Sequence, residues 1–421
     1  MLNPEGLFSF PLDQFQEDAI KAINSGDSIV LTAPTGSGKT VLGEFAIYRA
    51  LFHNNKVFYT TPLKALSNQK FRDFSIQFGE KKVGLLTGDI SINRDAHVLV
   101  MTTEIFRNML YGEFEEIDDP LSNLESVILD ECHYMNDPQR GTVWEETIIH
   151  CPSNTQIIAL SATIANSFQL KNWINKVHGP TSLINSNIRP VPLDFIFCSA
   201  KGFHPLLNKK RNGIHPNCKV WRAPKGQLKK SKFGRITQPK SPPLTFVISK
   251  LAERKMLPAI YFIFSRKGCD KAVASIKDLS LVNYAEANLI NEKLSHYIKN
   301  NRDVVQDKLH FEALKRGVAS HHAGLLPAWK ELVEELFQKG LIKVVFATET
   351  LAAGINMPAR TTVISSLSKR TENGHRLLFS SEFLQMSGRA GRRGKDSQGY
   401  VVTVQSRFEG AKEACSLAIS E

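Results

Sequence analysis

The segment that constrains the fold most is a glycine-rich turn, APTGSGKT at residues 33–40, which joins an apolar run to an amphipathic stretch. The apolar run is SIVLT from Ser28, and apolar residues recur at helical spacing between residues 41 and 52. Apolar strands separated by helices are typical of a parallel sheet that carries helices on both faces. The segment therefore predicts an α/β fold.

Two sets of apolar runs alternate with helical stretches along the chain. Each set predicts one α/β lobe with a mostly parallel sheet. We expect the first domain at residues 1–185 and the second at residues 186–421. The runs of the first set begin at Ser28, Lys56, Val83, His97, Ser126 and Gln156, and those of the second at Pro258, Lys343, Thr361 and Gly399.

Positive charge is concentrated in one part of the chain. The 421 residues carry a net charge of +12, from 53 Lys and Arg against 41 Asp and Glu. Twelve of the basic residues and no acidic residue lie at residues 201–240, so the rest of the chain is balanced. Because this stretch lacks apolar periodicity, we expect a basic, flexible insert at residues 201–243. Two interpretations stay open, an electrostatic tether for nucleic acid and a solvated linker.

Membrane and secreted classes do not fit the sequence. No apolar run approaches the roughly 20 residues of a membrane span, and the N-terminus lacks the basic and apolar regions of a secretory signal. The six cysteines are scattered without a C-x-x-C pair, which indicates reduced thiols rather than a disulfide framework or a zinc site. We therefore expect a cytoplasmic protein with no membrane contact.

The chemistry that the glycine-rich turn predicts is phosphate binding. Backbone N–H groups surround the phosphates, Lys39 adds a positive charge, and Thr40 can place its hydroxyl on Mg²⁺. Ninety-one residues after Lys39, the apolar strand VIL is followed by Asp130 and Glu131. An acid at the end of a buried strand needs a cationic partner, so Asp130 is predicted to organise the Mg²⁺. Glu131 can orient and deprotonate the attacking water.

A cluster of arginines, in QMSGRAGRRG from Gln385, lies near the end of the chain. Arg389 and Arg392 are three residues apart and share a face if the segment is helical. Guanidinium groups brought to a γ-phosphate stabilise the charge of the transition state. We therefore expect these arginines to complete the nucleotide site when the two lobes close.

Twelve segments form a recognisable series: FSFPLDQFQEDAI, APTGSGKT, TPLKALSNQK, LLTGD, MTTEIFRNML, DECH, SAT, RPVPL, FIFSRKGCD, SHHAGL, ATETLAAGINMPA and QMSGRAGRRG. In order and spacing they resemble helicase superfamily two, and within it the superkiller-type DExH-box helicases, with details similar to the cyanobacterial and chloroplast branch. The resemblance covers the chain from Phe8 to Gln405. It implies two tandem RecA-like domains, ATP with Mg²⁺, and RNA as the nucleic acid.

The resemblance also implies roles for individual residues. Gln16 would read the edge of adenine, and Phe8 or Phe10 would stack on it. The nucleotide contacts would come from Ala33, Pro34, Thr35, Gly36, Ser37, Gly38, Lys39, Thr40 and Gly354. Nucleotide state and strand path would be coupled by His133, Ser161, Thr163 and Gln385. RNA contacts would come from Thr61, Pro62, Lys64, Thr102, Thr103, Ser265, Arg266, Thr348 and Thr350.

The implied function is ATP hydrolysis coupled to movement along RNA and its unwinding, 3′ to 5′, in RNA processing or decay. RNA-decay machinery is a candidate partner. Two alternatives stay open. The core motifs contact phosphates and sugars without reading bases, so a DNA-repair helicase fits them as well. The other alternative is an ATP-gated RNA clamp that binds and releases without separating strands.

Three further features carry expectations. Asn373-Gly374 predicts a hairpin, which in related helicases splits the duplex, and an ordinary surface hairpin is the alternative. His321 and His322 would point to opposite faces of a strand, which favours structural roles over one shared site. Superkiller-type helicases normally continue into winged-helix and ratchet domains that these residues do not include. We therefore expect ATP hydrolysis to survive and processive unwinding to depend on those parts.

Overall fold

A computed structural model of the chain describes residues 1–112, 120–136, 140–162, 164, 166–219, 241–301, 308–352, 357–371, 374–406 and 409–419. The chain forms two compact units, Met1–Arg189 and Pro190–Glu421. The passage between them falls after Arg189, whereas the sequence predicts it after residue 185.

The first unit is built on an eight-stranded sheet. Its strands are β1 (Ser28–Thr32), β2 (Lys56–Thr61), β3 (Val83–Thr87), β4 (Ile90–Ile92), β5 (Val98–Thr102), β6 (Leu124–Leu129), β7 (Gln156–Ser161) and β8 (Thr181–Asn185). In space they follow the order β4-β3-β5-β2-β6-β7-β1-β8. All neighbours run parallel except β3 and β4.

Helices cover both faces of this sheet. They are α1 (Gln14–Ser25), α2 (Thr40–Phe52), α3 (Lys64–Phe78), α4 (Thr103–Leu110), α5 (Gly141–His150) and α6 (Ser167–Val177). Successive residues of a strand point to opposite faces, so Ile29 and Leu31 pack into the core formed with α1–α3. Val30 instead joins the core formed with α4–α6, where Trp144 is fully buried.

The second unit repeats this architecture. Its strands are β9 (Leu193–Ser199), β10 (Gly202–Pro205), β11 (Ala259–Phe262), β12 (Val318–His321), β13 (Val344–Ala347), β14 (Thr361–Ile364), β15 (Ser368–Thr371), β16 (Gly374–Leu377) and β17 (Gly399–Val404). Seven of them form a sheet in the order β10-β9-β17-β14-β11-β13-β12, in which only β9 and β10 pair antiparallel. Strands β15 and β16 form a separate antiparallel hairpin.

The helices of the second unit lie on both faces of its sheet and contribute to two buried cores. They are α7 (Pro216–Lys219), α8 (Leu244–Glu253), α9 (Arg266–Ser275), α10 (Tyr284–Asn300), α11 (Lys308–Lys315), α12 (Pro327–Gln338), α13 (Ser380–Ser387) and α14 (Ala411–Ile419). Each unit is thus a mostly parallel sheet between helices, which confirms the predicted fold class of tandem RecA-like domains. In the described part of the chain, no helix has the length and apolar character needed to span a bilayer.

The prediction of a flexible insert at residues 201–243 is wrong for its first part. Strand β10 pairs with β9, and Leu206 and Cys218 are buried in the core of the second unit. The sequence showed no apolar periodicity here, since only a few apolar residues lie between the basic ones. These few buried residues are nevertheless enough to hold the chain at the edge of the sheet. Residues 220–240, which carry seven of the twelve basic residues of this stretch, lie outside the described residues.

Candidate nucleotide and nucleic-acid site

The glycine-rich turn connects β1 to α2 as predicted. Gly36 and Gly38 have φ angles of 81° and 91°, a region that residues with a Cβ rarely adopt. The ammonium of Lys39 lies on the turn itself, 2.8 Å from the carbonyl oxygen of Ala33 and 3.2 Å from that of Pro34. The turn therefore folds around a positive charge, as a phosphate site requires. It also contains Thr35 and Ser37.

Thr40 and Asp130 lie on either side of one cationic group, the ammonium of Lys70 from α3. Lys70 Nζ donates to Thr40 Oγ1 at 3.1 Å and lies 4.0 Å from Asp130 Oδ2. The same carboxylate oxygen accepts a hydrogen bond from the Tyr59 hydroxyl at 2.6 Å. Burial raises the pKa of Asp130, and the positive charge of Lys70 opposes that rise. A hydroxyl and a carboxylate that already face a cation fit a Mg²⁺ ion.

Glu131 occupies a strained backbone position beside Asp130. Its φ is 55°, although it is not glycine, and its N–H donates to Asp130 Oδ1 at 3.0 Å. Such strain is concentrated at functional sites. His133 Nδ1 lies 3.3 Å from Glu131 Oε2. Burial lowers the pKa of His133, the positive charge of Lys39 adds to that effect, and the negative charge of Glu131 opposes it without reversing it.

Of the predicted coupling residues, Ser161 contacts the turn, whereas Gln385 belongs to the second unit. Ser161 is the last residue of β7 and is fully buried. Its carbonyl oxygen accepts a hydrogen bond from the N–H of Ala33 at 3.2 Å, which ties the start of the turn to β7. Thr163 lies outside the described residues.

Gln16 joins the N-terminal segment to the turn. Its side chain is fully buried, donates from Nε2 to the carbonyl oxygen of Gly38 at 3.0 Å, and accepts from the N–H of Asp13 at 2.8 Å. This position supports the turn directly, beside the predicted role in reading adenine. The ring of Phe10 is 44% exposed and lies 5.8 Å from that of Phe8, so it presents an accessible aromatic surface.

The arginine cluster of the second unit is not helical. Helix α13 contains Gln385 but ends at Ser387, before Arg389 and Arg392. The residue after the helix, Gly388, still has helical backbone angles, and the chain takes a left-handed conformation at Gly391, where φ is 81°. The condition under which the two arginines would share a helical face is therefore not met.

The two arginines have separate partners. Arg389 Nε donates to the carbonyl oxygen of Ala352 at 3.0 Å, which connects the cluster to the ATETLAAGINMPA segment. Arg392 forms a two-point ion pair with the buried Asp396, with Nε–Oδ2 and Nη2–Oδ1 distances of 2.7 and 2.9 Å. Gly354, the predicted nucleotide contact of this segment, lies outside the described residues.

The two units match two family models. The first matches DEAD/DEAH box helicase at residues 13–170, and the second matches the helicase conserved C-terminal domain at residues 280–394. The chain belongs to the DEAD/DEAH box helicases.

Curated relatives are superkiller-type helicases. The chain is 44% identical to the chloroplastic DExH-box ATP-dependent RNA helicase DExH15 of Arabidopsis thaliana, over 98% of its own length and 38% of the relative's. It is 41% identical to the exosome RNA helicase MTR4 of Homo sapiens, over 94% and 38%. It is 37% identical to the antiviral helicase SKI2 of Saccharomyces cerevisiae, over 96% and 36%. The chain thus spans less than two fifths of the length of these relatives.

In this DEAD/DEAH box helicase, most of the predicted nucleic-acid contacts of the first unit are buried. They are Thr61, Pro62, Thr102 and Thr103. The hydroxyl of Thr61 bonds to that of Ser67 at 2.7 Å, so it contributes to the internal packing of the strand ends. Lys64 is exposed, and its ammonium lies 2.9 Å from Asp89 of the LLTGD segment. Contact with a strand would therefore use Lys64 and neighbouring backbone atoms.

The predicted contacts of the second unit of the helicase lie at one sheet edge. Ser265 and Arg266 follow β11, and Thr348 and Thr350 follow its neighbour β13. Ser265, Arg266 and Thr350 are exposed, and the hydroxyls of Thr348 and Thr350 bond to each other at 2.9 Å. This edge presents a small polar surface at the carboxyl ends of adjacent parallel strands.

The histidines of the SHHAGL segment have different partners in the helicase. His321 Nε2 lies 2.9 Å from Glu334 of α12, and His322 Nε2 lies 3.0 Å from Asp270 of α9. Asp270 also lies 3.2 Å from His310 Nε2. Both rings thus connect β12 to the helices that cover it.

Three residues that the sequence did not single out lie at the glycine-rich turn or near Asp130. Tyr59 donates a hydrogen bond to Asp130, and the Lys70 ammonium lies between Asp130 and Thr40. Arg189 donates to the carbonyl oxygen of Thr35 in the turn at 3.0 Å, and burial lowers its pKa to about 10. Arg189 is the first residue of the RPVPL segment, so the resemblance could have indicated it. No local pattern distinguishes Lys70 from the other basic residues of α3.

Proposed function

We propose that this chain is the ATP-hydrolysing motor of an RNA helicase. The observation that carries the proposal is that Thr40 and Asp130, 90 residues apart in sequence, face one cation beside the glycine-rich turn. The names of the chain's relatives support RNA as the nucleic acid. Two of the three compared above are named as RNA helicases, and the third is named as an antiviral helicase.

The residues of the first unit would bind and hydrolyse ATP. The ammonium of Lys39 would leave the turn carbonyls for the β- and γ-phosphates, which also accept from backbone N–H groups of the turn. Thr40 and Asp130 would hold Mg²⁺, which supplies charge neutralisation at the phosphates when bound. Glu131 would accept a proton from water as the water oxygen bonds to the γ-phosphorus and the bond to the β-phosphate oxygen breaks.

The second unit would complete this site when the lobes close. Arg389 and Arg392 would then stabilise the charge of the transition state, and Gln385 would report the nucleotide state to the strand path. Because Arg392 is already paired with Asp396, its guanidinium is held in one orientation rather than free in solvent. We also propose that Gly354 contacts the nucleotide and that Thr163 couples hydrolysis to closure.

RNA would cross both units, and we propose 3′-to-5′ movement in RNA processing or decay, with RNA-decay machinery as partner. The path would follow Lys64 in the first unit and Arg266, Thr348 and Thr350 in the second. The hairpin of β15 and β16 would split the duplex, although its turn residue Asn373 lies outside the described residues. A tighter neutral turn in place of Asn373-Gly374 should then reduce unwinding more than ATPase, and equal losses would contradict the wedge.

A strand-displacement assay on matched 3′-tailed RNA and DNA duplexes tests the function. We expect RNA-stimulated ATPase and opening of a short RNA duplex. Glu131→Gln should bind ATP normally yet hydrolyse it about 10²- to 10⁴-fold more slowly. Glu312→Gln, at an exposed ion pair of α11, is the matched control and should behave as wild type. Opening of DNA alone would favour a repair helicase, and stimulated ATPase without opening of either duplex would favour a clamp.

A cytoplasmic location is part of the proposal. The Arabidopsis relative is named as chloroplastic, so cell fractionation with cytoplasmic and organellar markers is the measurement that distinguishes the two. Recovery of the protein only with an organelle would contradict this part of the proposal.

A further inference from the structure

A lysine occupies the place that the proposed nucleotide site gives to a metal ion. Lys70 enters from α3, and only 12% of its side chain is exposed. Its ammonium bonds to Thr40 Oγ1 and lies 4.0 Å from Asp130 Oδ2, the two groups assigned above to Mg²⁺. One cation thus faces both of these oxygen atoms.

The charge of Lys70 has a clear reason to be there. The Asp130 side chain is only 11% exposed, and a buried carboxylate without a cationic partner is strongly destabilising. Tyr59 donates one hydrogen bond to this carboxylate but brings no charge. The Lys70 ammonium supplies the larger part of the positive charge that acts on Asp130, and Lys39 adds to it.

The same charge opposes a metal ion. A divalent cation bound by Thr40 and Asp130 would lie within a few ångströms of an ammonium that itself bonds to Thr40. The repulsion is strong at such distances where water is scarce. Lys70 must therefore move away from Thr40 before the hydroxyl can bind the metal.

In its observed position the Lys70 ammonium also lies near groups that are not assigned to the metal. Lys70 Nζ lies 5.3 Å from the centre of the Tyr59 ring and 5.7 Å from that of Phe74, within the range of cation–π attraction. Glu44 of α2 is also near, since the positive charge of Lys70 counteracts part of the burial that raises the pKa of that carboxyl. A short movement toward these groups keeps the ammonium stabilised.

We propose that the Lys70 ammonium is the counter-ion of Asp130 in the metal-free site. When Mg·nucleotide binds, the ammonium moves away from Thr40 and Asp130, and these two residues then bind Mg²⁺. This inference rests on the proposed nucleotide site and adds a positioning residue to it. Lys70 then sets the Mg²⁺ concentration at which the site is half saturated. It also stabilises the nucleotide-free protein, in which the buried carboxylate of Asp130 would otherwise lack this cationic partner.

The test compares wild type, Lys70→Met and Lys70→Arg, with Lys81→Met as a control at an exposed lysine. A fluorescent ADP analogue is titrated with Mg²⁺, and its affinity is also measured in EDTA. We expect Lys70→Met to lower the Mg²⁺ midpoint about fivefold or more, since a repelling charge is removed. Affinity for the analogue in EDTA should stay unchanged, and Lys70→Arg and Lys81→Met should keep the wild-type midpoint.

Thermal unfolding without nucleotide is the second measurement. Lys70→Met should lower the melting temperature in EDTA, and Lys70→Met/Asp130→Asn should restore it because the unpaired charge is gone. If Lys70→Met alone does not fold, recovery of a folded protein in the double variant tests the same point.

Three results would overturn the inference. They are an unchanged Mg²⁺ midpoint, a loss of analogue affinity in EDTA, which would make Lys70 a phosphate ligand, and a double variant no more stable than the single one. Failure of the wild type to bind the analogue at any Mg²⁺ concentration would instead refute the proposed function, and the inference with it.

Discussion

The ammonium of Lys369 lies 2.7 Å from a carboxylate oxygen of Glu382, and this contact connects the β15–β16 hairpin to the first turn of α13. Lys369 is also 2.7 Å from Glu349, in the segment after β13. From the second hairpin strand, Arg376 forms a two-point ion pair with Glu382, at 2.7 and 2.9 Å. Both strands of the hairpin are therefore held by the helix that leads to the arginine cluster.

The first prediction concerns this connection. Glu382→Gln should loosen the hairpin and reduce RNA unwinding about tenfold, the effect of roughly 1.4 kcal/mol, with a much smaller effect on RNA-stimulated ATPase. The reason is that Glu382 holds the hairpin and not the nucleotide. Parallel unwinding and ATPase assays measure it, with Glu312→Gln as the control. A proportional fall in both activities would show that Glu382 acts on the motor as a whole.

The second prediction concerns pH. Burial alone would raise the pKa of Asp396, but hydrogen bonds from Arg392 and Arg360 lower it from 3.8 to about 2. A carboxyl with a lower pKa in the folded state stabilises the protein above its unfolded pKa of about 4, and this contribution disappears as the pH falls toward 2. Asp396→Asn should therefore lower the free energy of unfolding by about 2 kcal/mol at pH 7, by about half of that near pH 3 and by little near pH 2. Urea unfolding of wild type and Asp396→Asn across that pH range measures this. A difference in unfolding free energy that does not change with pH would contradict the low pKa of Asp396.

The third prediction separates two roles of Gln16. If Gln16 reads adenine, Gln16→Ala should reduce ATP affinity about tenfold and leave GTP affinity nearly unchanged, as expected for a loss of about 1.4 kcal/mol. If its hydrogen bond to Gly38 mainly supports the turn, both nucleotides should lose affinity equally. We expect the first result with a smaller component of the second. Direct binding titrations with both nucleotides measure the ratio, and an unchanged ratio would remove base recognition from this residue.

The fourth prediction concerns a buried ion pair that connects α2, the helix after the turn, to β6. Arg49 is 8% exposed and pairs with Glu125 at 2.5 Å, with Gln156 at 2.7 Å and with the carbonyl oxygen of Ile23. Removing one partner of such a pair leaves the other charge buried, so Arg49→Met should cost about 3 to 5 kcal/mol of unfolding free energy.

The exposed pair of Lys21 and Asp18 provides the comparison for Arg49. Lys21→Met should cost less than about 1 kcal/mol, because both of its charges are well solvated. Equilibrium unfolding in urea measures both variants, and equal costs would show that the Arg49 network adds no more than a surface pair.

Local chemistry was readable from the sequence. A glycine-rich turn between a strand and a helix needs residues that tolerate positive φ, and Gly36 and Gly38 have it. An acid directly after a buried apolar strand needs a cation, and Asp130 has one in Lys70. Each of these requirements acts within a few residues of chain, so the pattern alone predicted the turn, the acids and the alternation of strands and helices.

The partners of these residues were decided by the tertiary structure. Nothing in the spacing of α3 indicates that Lys70, rather than another of its basic residues, would face Thr40 and Asp130. The same holds for Tyr59, for the separate partners of His321 and His322, and for the two-point pairing of Arg392 with Asp396. Strand β10 was missed because its anchoring residues are few and lie among lysines.

The sequence by itself therefore determined the fold class and most of the strands and helices, and it predicted which residues would carry phosphate chemistry, because hydrogen bonding, backbone freedom and apolar periodicity are local properties. Which cation faces Asp130, and which groups hold the arginines, depends on contacts between residues as far apart in sequence as Lys70 and Asp130, 60 positions. Those contacts arise only when the parallel strands bring their carboxyl ends to one edge and the covering helices pack against them.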